Sequence, residues 1–258
     1  MFLTPHWPGM PGNVGALSTL RSGGVSAAPY GGGPAAGSGG GLNLGLHVGD
    51  DALCVQRNRH LLQATLPNAP VWLSQVHGTL AIDAGAPASA QVPEADASFT
   101  RARAVVCAVL SADCLPVLLC DASGAVVGAA HAGWRGLAAG VLEQTVAAMR
   151  AAGAGEVLAW LGPAIGARQF EVGADVVDTF LSGALDQHAV VAAAFVPVAG
   201  RPGKYLADIY ALARCALGRV GVDRIAGAEF CTASDEQRFY SYRRDGITGR
   251  QANLIWLK

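Results

Sequence analysis

Residues 104–153 read AVVCAVLSADCLPVLLCDASGAVVGAAHAGWRGLAAGVLEQTVAAMRAAG. Three apolar runs, AVVCAVL (104–110), PVLLC (116–120) and AVVGAA (125–130), are short enough and β-branched enough to read as buried strands. A helical pattern follows over 136–152, with Leu137, Val141, Leu142, Thr145, Ala148 and Met149 at helical spacing and Gly153 to stop it. On either side the same signals recur. VWLSQV (71–76) and VLAWL (157–161) read as strands, as do stretches near 189–198 and 225–230, while helices are predicted over 174–182 and 205–219. A further helix is capped by Asp50 or Asp51 and runs to about Leu66, with Leu53, Cys54, Leu61, Leu62 and Leu66 on or near one face and Arg57, Asn58 and Arg59 as a polar patch. Strands and helices mix without strict strand–helix–strand alternation. The pattern therefore predicts an α/β layered sandwich, with mixed β-sheets flanked by helices, rather than a doubly wound parallel sheet. No internal repeat interrupts it, and 1–258 reads as a single domain. GGGPAAGSGGG (31–41) lacks the apolar surface to order itself and reads as a flexible glycine-rich insertion.

Composition narrows the function. With 52% hydrophobic and 14% charged residues, 258 residues bury a large core, which excludes a disordered chain. A net charge of −1, with no Lys/Arg run longer than two, gives no electrostatic case for nucleic acid or an anionic membrane. The six cysteines, without tight spacing, read as reduced thiols rather than a disulfide framework. MFLTPHWPG lacks a basic n-region and an apolar h-region, and no stretch approaches the roughly 18 apolar residues of a membrane span. A soluble cytoplasmic protein is expected.

The chemistry concentrates in QVHG (75–78), SADCLP (111–116) and AAHAGWRG (129–136), each leaving an apolar stretch for small or polar residues, as a strand end does where it presents a side chain to a pocket. His77, Cys114 and His131 together make a Cys/His₂ metal site whose fourth tetrahedral position stays open, as catalysis requires. Taken singly, each of the three is more often packing than chemistry, and the spacing matches no short zinc-finger pattern. Cys54, Cys107, Cys120 and Cys215 read as core, and Cys231 opens a polar loop. HAGWRG sets Arg135 before a helix N-terminus suited to an anion, and RRDG (243–246) with Arg250 adds guanidinium groups suited to phosphate or carboxylate. The plain alternatives are a tight glycine turn and a solvated loop. No P-loop, GxGxxG after a strand or GxSxG elbow is present.

These motifs together resemble the purine nucleoside phosphorylase family long described as multicopper polyphenol oxidoreductase or laccase-domain proteins. The similar segments are LNLGLHVGDD (42–51), VQRNRHLL (55–62), WLSQVHGT (72–79), EADASFT (94–100), SADCLPVLLCD (111–121), VVGAAHAGWRGLAAGVLEQTV (126–146), WLGPAIGARQFEVG (160–173) and FYSYRRDGITGRQANLIWL (239–257). They cover nearly the whole chain in order; the departures are the 31–41 insertion and Tyr242 in place of the family's usual phenylalanine. The resemblance implies a layered α/β fold and a zinc held by His77, Cys114 and His131; copper, which outranks zinc in intrinsic affinity, is able to substitute. It also implies phosphorolysis of adenosine, inosine and 5′-methylthioadenosine, and hydrolytic deamination of adenosine. Arg59, Arg135, Arg243 and Arg244 are then candidates for phosphate or ribose, and Asp113 for an acid/base group or, in preference, for orienting a metal ligand.

Three rivals stand beside that reading. A laccase needs a blue-copper centre and a trinuclear cluster, which six histidines cannot fill. A metal-free cysteine hydrolase would use Cys114 as nucleophile and His131 as base. A non-enzymatic binding module would use the same pocket without turnover.

Overall fold

The structure, a computed structural model, describes residues 2–33, 39–87, 91–184 and 187–258. Of the three apolar runs, the first becomes Val106–Ser111 in one sheet, and the other two become Leu115–Asp121 and Val127–Ala132 in a second. The first sheet runs Phe2–Leu3, Val14–Thr19, Gln251–Leu257, Val106–Ser111, Pro70–Val71, antiparallel except for its last pair. The second runs Ile225–Gly227, Val157–Leu161, Leu115–Asp121, Val127–Ala132, Ala97–Thr100, Ala81–Asp83, with parallel pairs at both edges of an antiparallel centre. Glu171–Gly173, Lys204–Ala207 and Phe195–Pro197 form a small antiparallel sheet.

Strand alternation sorts the core into layers. Leu118, Cys120, Val127, Ala129, Leu158 and Trp160 of the second sheet meet Cys107, Val109, Ile255 and Leu257 of the first. The alternate residues of the second sheet, Leu115, Val117, Leu119, Ala130, Ala132 and Ala159, point the other way and pack on the helices Trp134–Ala139, Val141–Ala151 and Ile209–Arg219. On the far side of the first sheet, Val106, Ala108, Leu110, Ala252 and Leu254 pack with Leu62 of the helix Ala52–Gln63. The order is thus helix, sheet, sheet, helix: the mixed layered sandwich that the apolar pattern predicts. Central strands covered on both faces need unbroken apolar runs instead of alternation, which is what 106–121 supplies.

Several elements differ from the sequence expectation, each for a local reason. The helix over 136–152 is two, divided at Gly140, whose left-handed φ of 97° ends one helix and starts the next. The helix over 205–219 begins at Ile209, because Asp208 caps it by accepting from Tyr210 N and Ala211 N, while Lys204–Ala207 is a strand. The stretch 189–198 is the helix His188–Ala193 followed by the strand Phe195–Pro197. Of VWLSQV only Val71 lies in a strand, Pro70–Val71, and Ser74 makes an isolated bridge to Glu94; towards Leu110 the Gln75 side-chain amide replaces the backbone, donating to Leu110 O (2.8 Å) and accepting from Leu110 N (2.7 Å). Of the glycine-rich stretch, 34–38 lie outside the described residues, and Gly40–Gly41 pair with Ser22–Gly24.

The helix Ala52–Gln63 buries Val55, Asn58 and Leu62, whereas Leu53 and Leu61 are exposed. The polar patch therefore faces inward at Asn58. Its Oδ1 accepts from Val25 N (2.8 Å), and its Nδ2 donates to Ser26 Oγ, Gly41 O and Asn43 O (2.9, 3.1 and 2.9 Å). Asn58→Ala removes four hydrogen bonds and deprives Val25 N and Asn43 O of their partner, while Ser26 Oγ keeps Asp50 and Gly41 O keeps Ser26 N. A loss of about 2–4 kcal/mol is expected in chemical denaturation, against about 0.5 kcal/mol or less for an exposed neighbour such as Arg57→Ala.

Candidate metal centre

Strand register brings the three candidate ligands together. In the hairpin of Leu115–Asp121 and Val127–Ala132, Leu115 lies opposite Ala132 and Pro116 opposite His131. Cys114, one residue before the first strand, therefore sits beside the end of the second. His77 arrives from the QVHG turn in a left-handed conformation, φ 61°. Gly133 makes room for it: a Cβ there would lie 2.7 Å from His77 Cδ2 and 3.1 Å from Cys114 Sγ. The one nitrogen or sulfur that each of His77, Cys114 and His131 offers lies within 4.8 Å of the other two. Cys114 Sγ and His77 Nε2 are 3.7 Å apart, close to the roughly 3.6 Å separating two tetrahedral ligands on a shared zinc-sized ion.

Asp96 holds this arrangement, and sequence reasoning does not single it out. Its carboxylate is fully buried and accepts from His131 Nδ1 at 2.8 Å, which leaves His131 Nε2 for the centre. The same carboxylate accepts the backbone N–H groups of Val76, His77 and Gly78 at 3.1, 2.9 and 2.7 Å, clamping the left-handed turn. One side chain thus fixes both histidines. Asp96 sits in EADASFT directly before the strand Ala97–Thr100, whose pairing sets Ala97 opposite Ala130; only that pairing reveals its role.

The electrostatics suit a cation. Burial pushes the Cys114 thiol up, but the charge of His131 and hydrogen bonds with His131 and His77 outweigh it and hold Cys114 at about 6. Burial likewise disfavours protonated His131, yet the Cys114 thiolate and the Asp96 carboxylate lift it to about 9. A thiolate near neutral pH beside two imidazoles is a donor set that a borderline-soft divalent ion takes. These residues fit a metal.

The centre lines a cavity of about 480 Å³, within the range of small-molecule sites. Trp134, Ile165, Phe170 and Ile209 give it apolar walls, and Arg135, Arg243 and Arg250 are on its lining. Arg135 is exposed, lies over the Trp134 ring and has no hydrogen-bond partner among the described residues. Arg243 donates to Glu171 O at 2.9 Å. Two of the arginines proposed from sequence lie elsewhere. Arg59 donates twice to Leu44 O and stacks on Trp72, with burial lowering it to about 10. Arg244 is taken up by Asp245, Thr232 O and Phe239 O. Asp113 lines the cavity, but its oxygens accept from Thr232 Oγ1 (2.6 Å) and Arg243 N (2.7 Å), so it anchors loops; the carboxylate orienting a ligand is Asp96. Arg250, already read from sequence as a guanidinium suited to phosphate or carboxylate, is on the lining, as are His47 and Tyr242, which sequence reasoning does not choose as site residues although both fall in motifs that carry the resemblance.

A family model described as multi-copper polyphenol oxidoreductase laccase matches residues 15–258. The chain belongs to that family. A purine nucleoside phosphorylase of Pseudomonas aeruginosa is 51% identical, the match covering 100% of this chain and 98% of the relative. The purine nucleoside phosphorylase YfiH of Escherichia coli is 49% identical over 99% and 98% of the two chains. The crystal structure of Neisseria meningitidis protein NMB0706 superposes with a TM-score of 0.88 at 47% identity, covering 100% of this chain and 99% of that one. The fold and family are those implied by the sequence. Among the described residues, no helix is long and apolar enough to cross a membrane.

Proposed function

We propose that this chain is a zinc-dependent purine nucleoside phosphorylase, acting on adenosine, inosine and 5′-methylthioadenosine with inorganic phosphate, and deaminating adenosine hydrolytically. The observation that carries the proposal is the three-ligand centre opening onto a cavity that also holds three arginines. When bound by His77, Cys114 and His131, a zinc ion supplies Lewis acidity and lowers the pKa of a water. The aromatic faces of Trp134, Phe170 and Tyr242 suit a purine ring, and the guanidinium groups suit a phosphate dianion. Six unpaired cysteines accord with a cytoplasmic setting.

Purified protein should release adenine and ribose 1-phosphate from adenosine only when phosphate is present, with inosine forming in parallel. Absence of base release from adenosine, inosine and methylthioadenosine at saturating phosphate would overturn the reading. A second reading, the cysteine hydrolase, is favoured by the lowered Cys114 thiol beside His131. Turnover that survives stringent chelation would select it.

The family's laccase description gives a further expectation. Six histidines, three of them His6, His60 and His188 away from the cavity lining, cannot build a trinuclear copper cluster. Copper loading should stop near one ion per chain, with slow phenol oxidation; about four coppers per chain with fast oxygen-dependent turnover would contradict this.

A further inference from the structure

The cavity's cations are not equivalent. Arg135 and Arg243 are exposed, and the helix carrying Arg135, Trp134–Ala139, has only six residues. Arg250 is more enclosed: its Nη1 donates to Thr248 O and Gly249 O at 3.1 and 3.0 Å. Among the described residues no hydrogen bond uses its Nε or Nη2, and no carboxylate pairs with it. Asp113, the acidic residue on the described lining, already accepts from Thr232 and Arg243 N.

A buried side chain ties Arg250 to His47. Asn43 Oδ1 accepts from Gly45 N (3.0 Å) and from Arg250 N (2.9 Å), and Leu44 N donates to Arg250 O (3.1 Å). Asn43 Nδ2 donates to Asp50 Oδ2 at 2.9 Å, closing the loop that contains His47. Gly45 sits where the two meet. Its Cβ would lie 2.8 Å from Arg250 Cγ and 3.5 Å from His47 Cε1, although its φ of −91° suits any residue. Segments some 200 residues apart are thus locked edge to edge, with both side chains on the cavity wall. Both side chains share the cavity lining with Cys114, His131 and Asp113; burial and then the neighbouring charges of Arg250, Arg59 and His131 lower His47, and burial lowers Arg250 while the Cys114 and Asp113 charges oppose it.

We infer that His47 and Arg250, clamped by Asn43 and Gly45, are the phosphate-holding wall of the cavity. The inference rests on the phosphorylase reading and says where its second substrate binds. Phosphate held there attacks ribose C1′ through one oxygen. The C1′–N9 bond breaks, its electron pair leaves with the purine, and the proton of hydrogenphosphate passes overall to the base, giving ribose 1-phosphate and free purine. A fork of N–H donors with no internal carboxylate matches that dianion's charge and geometry.

The test measures inorganic phosphate binding by direct calorimetric titration of metal-loaded protein, alongside the phosphate and adenosine KM values in phosphorolysis. Arg250→Ala and His47→Gln should each weaken phosphate binding and raise phosphate KM about tenfold or more, with adenosine KM changed less than about threefold. Arg250→Lys should recover part of the loss, and Gly45→Ala should reproduce part of it by displacing the Arg250 stem. Metal content and unfolding midpoint are checked for every variant. Unchanged phosphate binding in Arg250→Lys, Gly45→Ala and His47→Gln, with loss in Arg135→Ala, would move phosphate to the cavity mouth and overturn the inference. If the wild type shows no phosphorolysis, the phosphorylase reading fails separately, and the titration still decides whether this wall binds the anion.

Discussion

Cys114→Ala is expected to strip the protein of its metal and to lower base release by about a thousandfold or more, the rate equivalent of several kcal/mol of lost electrophilic stabilisation. The thiolate is the only anionic donor among the three ligands, and His131 is held protonatable partly by its charge. Removing it leaves two imidazoles, one exposed and one buried. Elemental analysis of protein purified without added metal, paired with turnover at saturating phosphate, reads both losses. Full metal content in Cys114→Ala, or turnover within about tenfold of wild type, would contradict the assignment.

Asp96→Ala should be nearly as damaging, through position instead of ligation. The substitution leaves three backbone N–H groups and His131 Nδ1 without their acceptor in a buried place. A stability loss of about 3–5 kcal/mol follows from breaking a buried charged network, and a metal affinity loss of about 10–100-fold follows from releasing the ligand orientation. Asp96→Asn separates the two effects. It keeps the volume and one acceptor oxygen but offers an amide where a donor already points, so metal affinity should fall while much of the fold is retained. Denaturation and metal titration of both variants provide the check. Wild-type affinity in Asp96→Asn would show that the turn holds His77 unaided.

How much of this is legible in the chain depends on whether the signal is local. Val157–Leu161 and Ala174–Ser182 match their expected ranges because an apolar strand run and an amphipathic helix each declare themselves within one element. Lys204–Ala207 merges with the helical pattern that follows it, although Asp208 carries the cap signal that separates them. His188–Ala193 reads as strand because its valines outweigh the alanines around them. At the site, His77, Cys114 and His131 announce themselves by residue type, and the structure brings them together. Asp96 does not, since its partners are backbone groups and a histidine 35 residues away. Arg59 and Arg244 are drawn in by charge alone, whereas both serve carbonyl oxygens of nearby loops.

The strand Gln251–Leu257 lies between Val14–Thr19 and Val106–Ser111, so residues more than two hundred positions apart are neighbours in the first sheet. During synthesis that middle place stays vacant until more than two hundred residues have followed Val14–Thr19, and the earlier strands must wait with unpaired edges facing each other across the gap. Such pairing over more than two hundred residues is also slow to find. Arg250 immediately precedes the strand and is delivered with it. The cavity's full complement of cations therefore exists only once the sheet has closed, and a chain emerging from the ribosome cannot hold the complete pocket before its fold is finished.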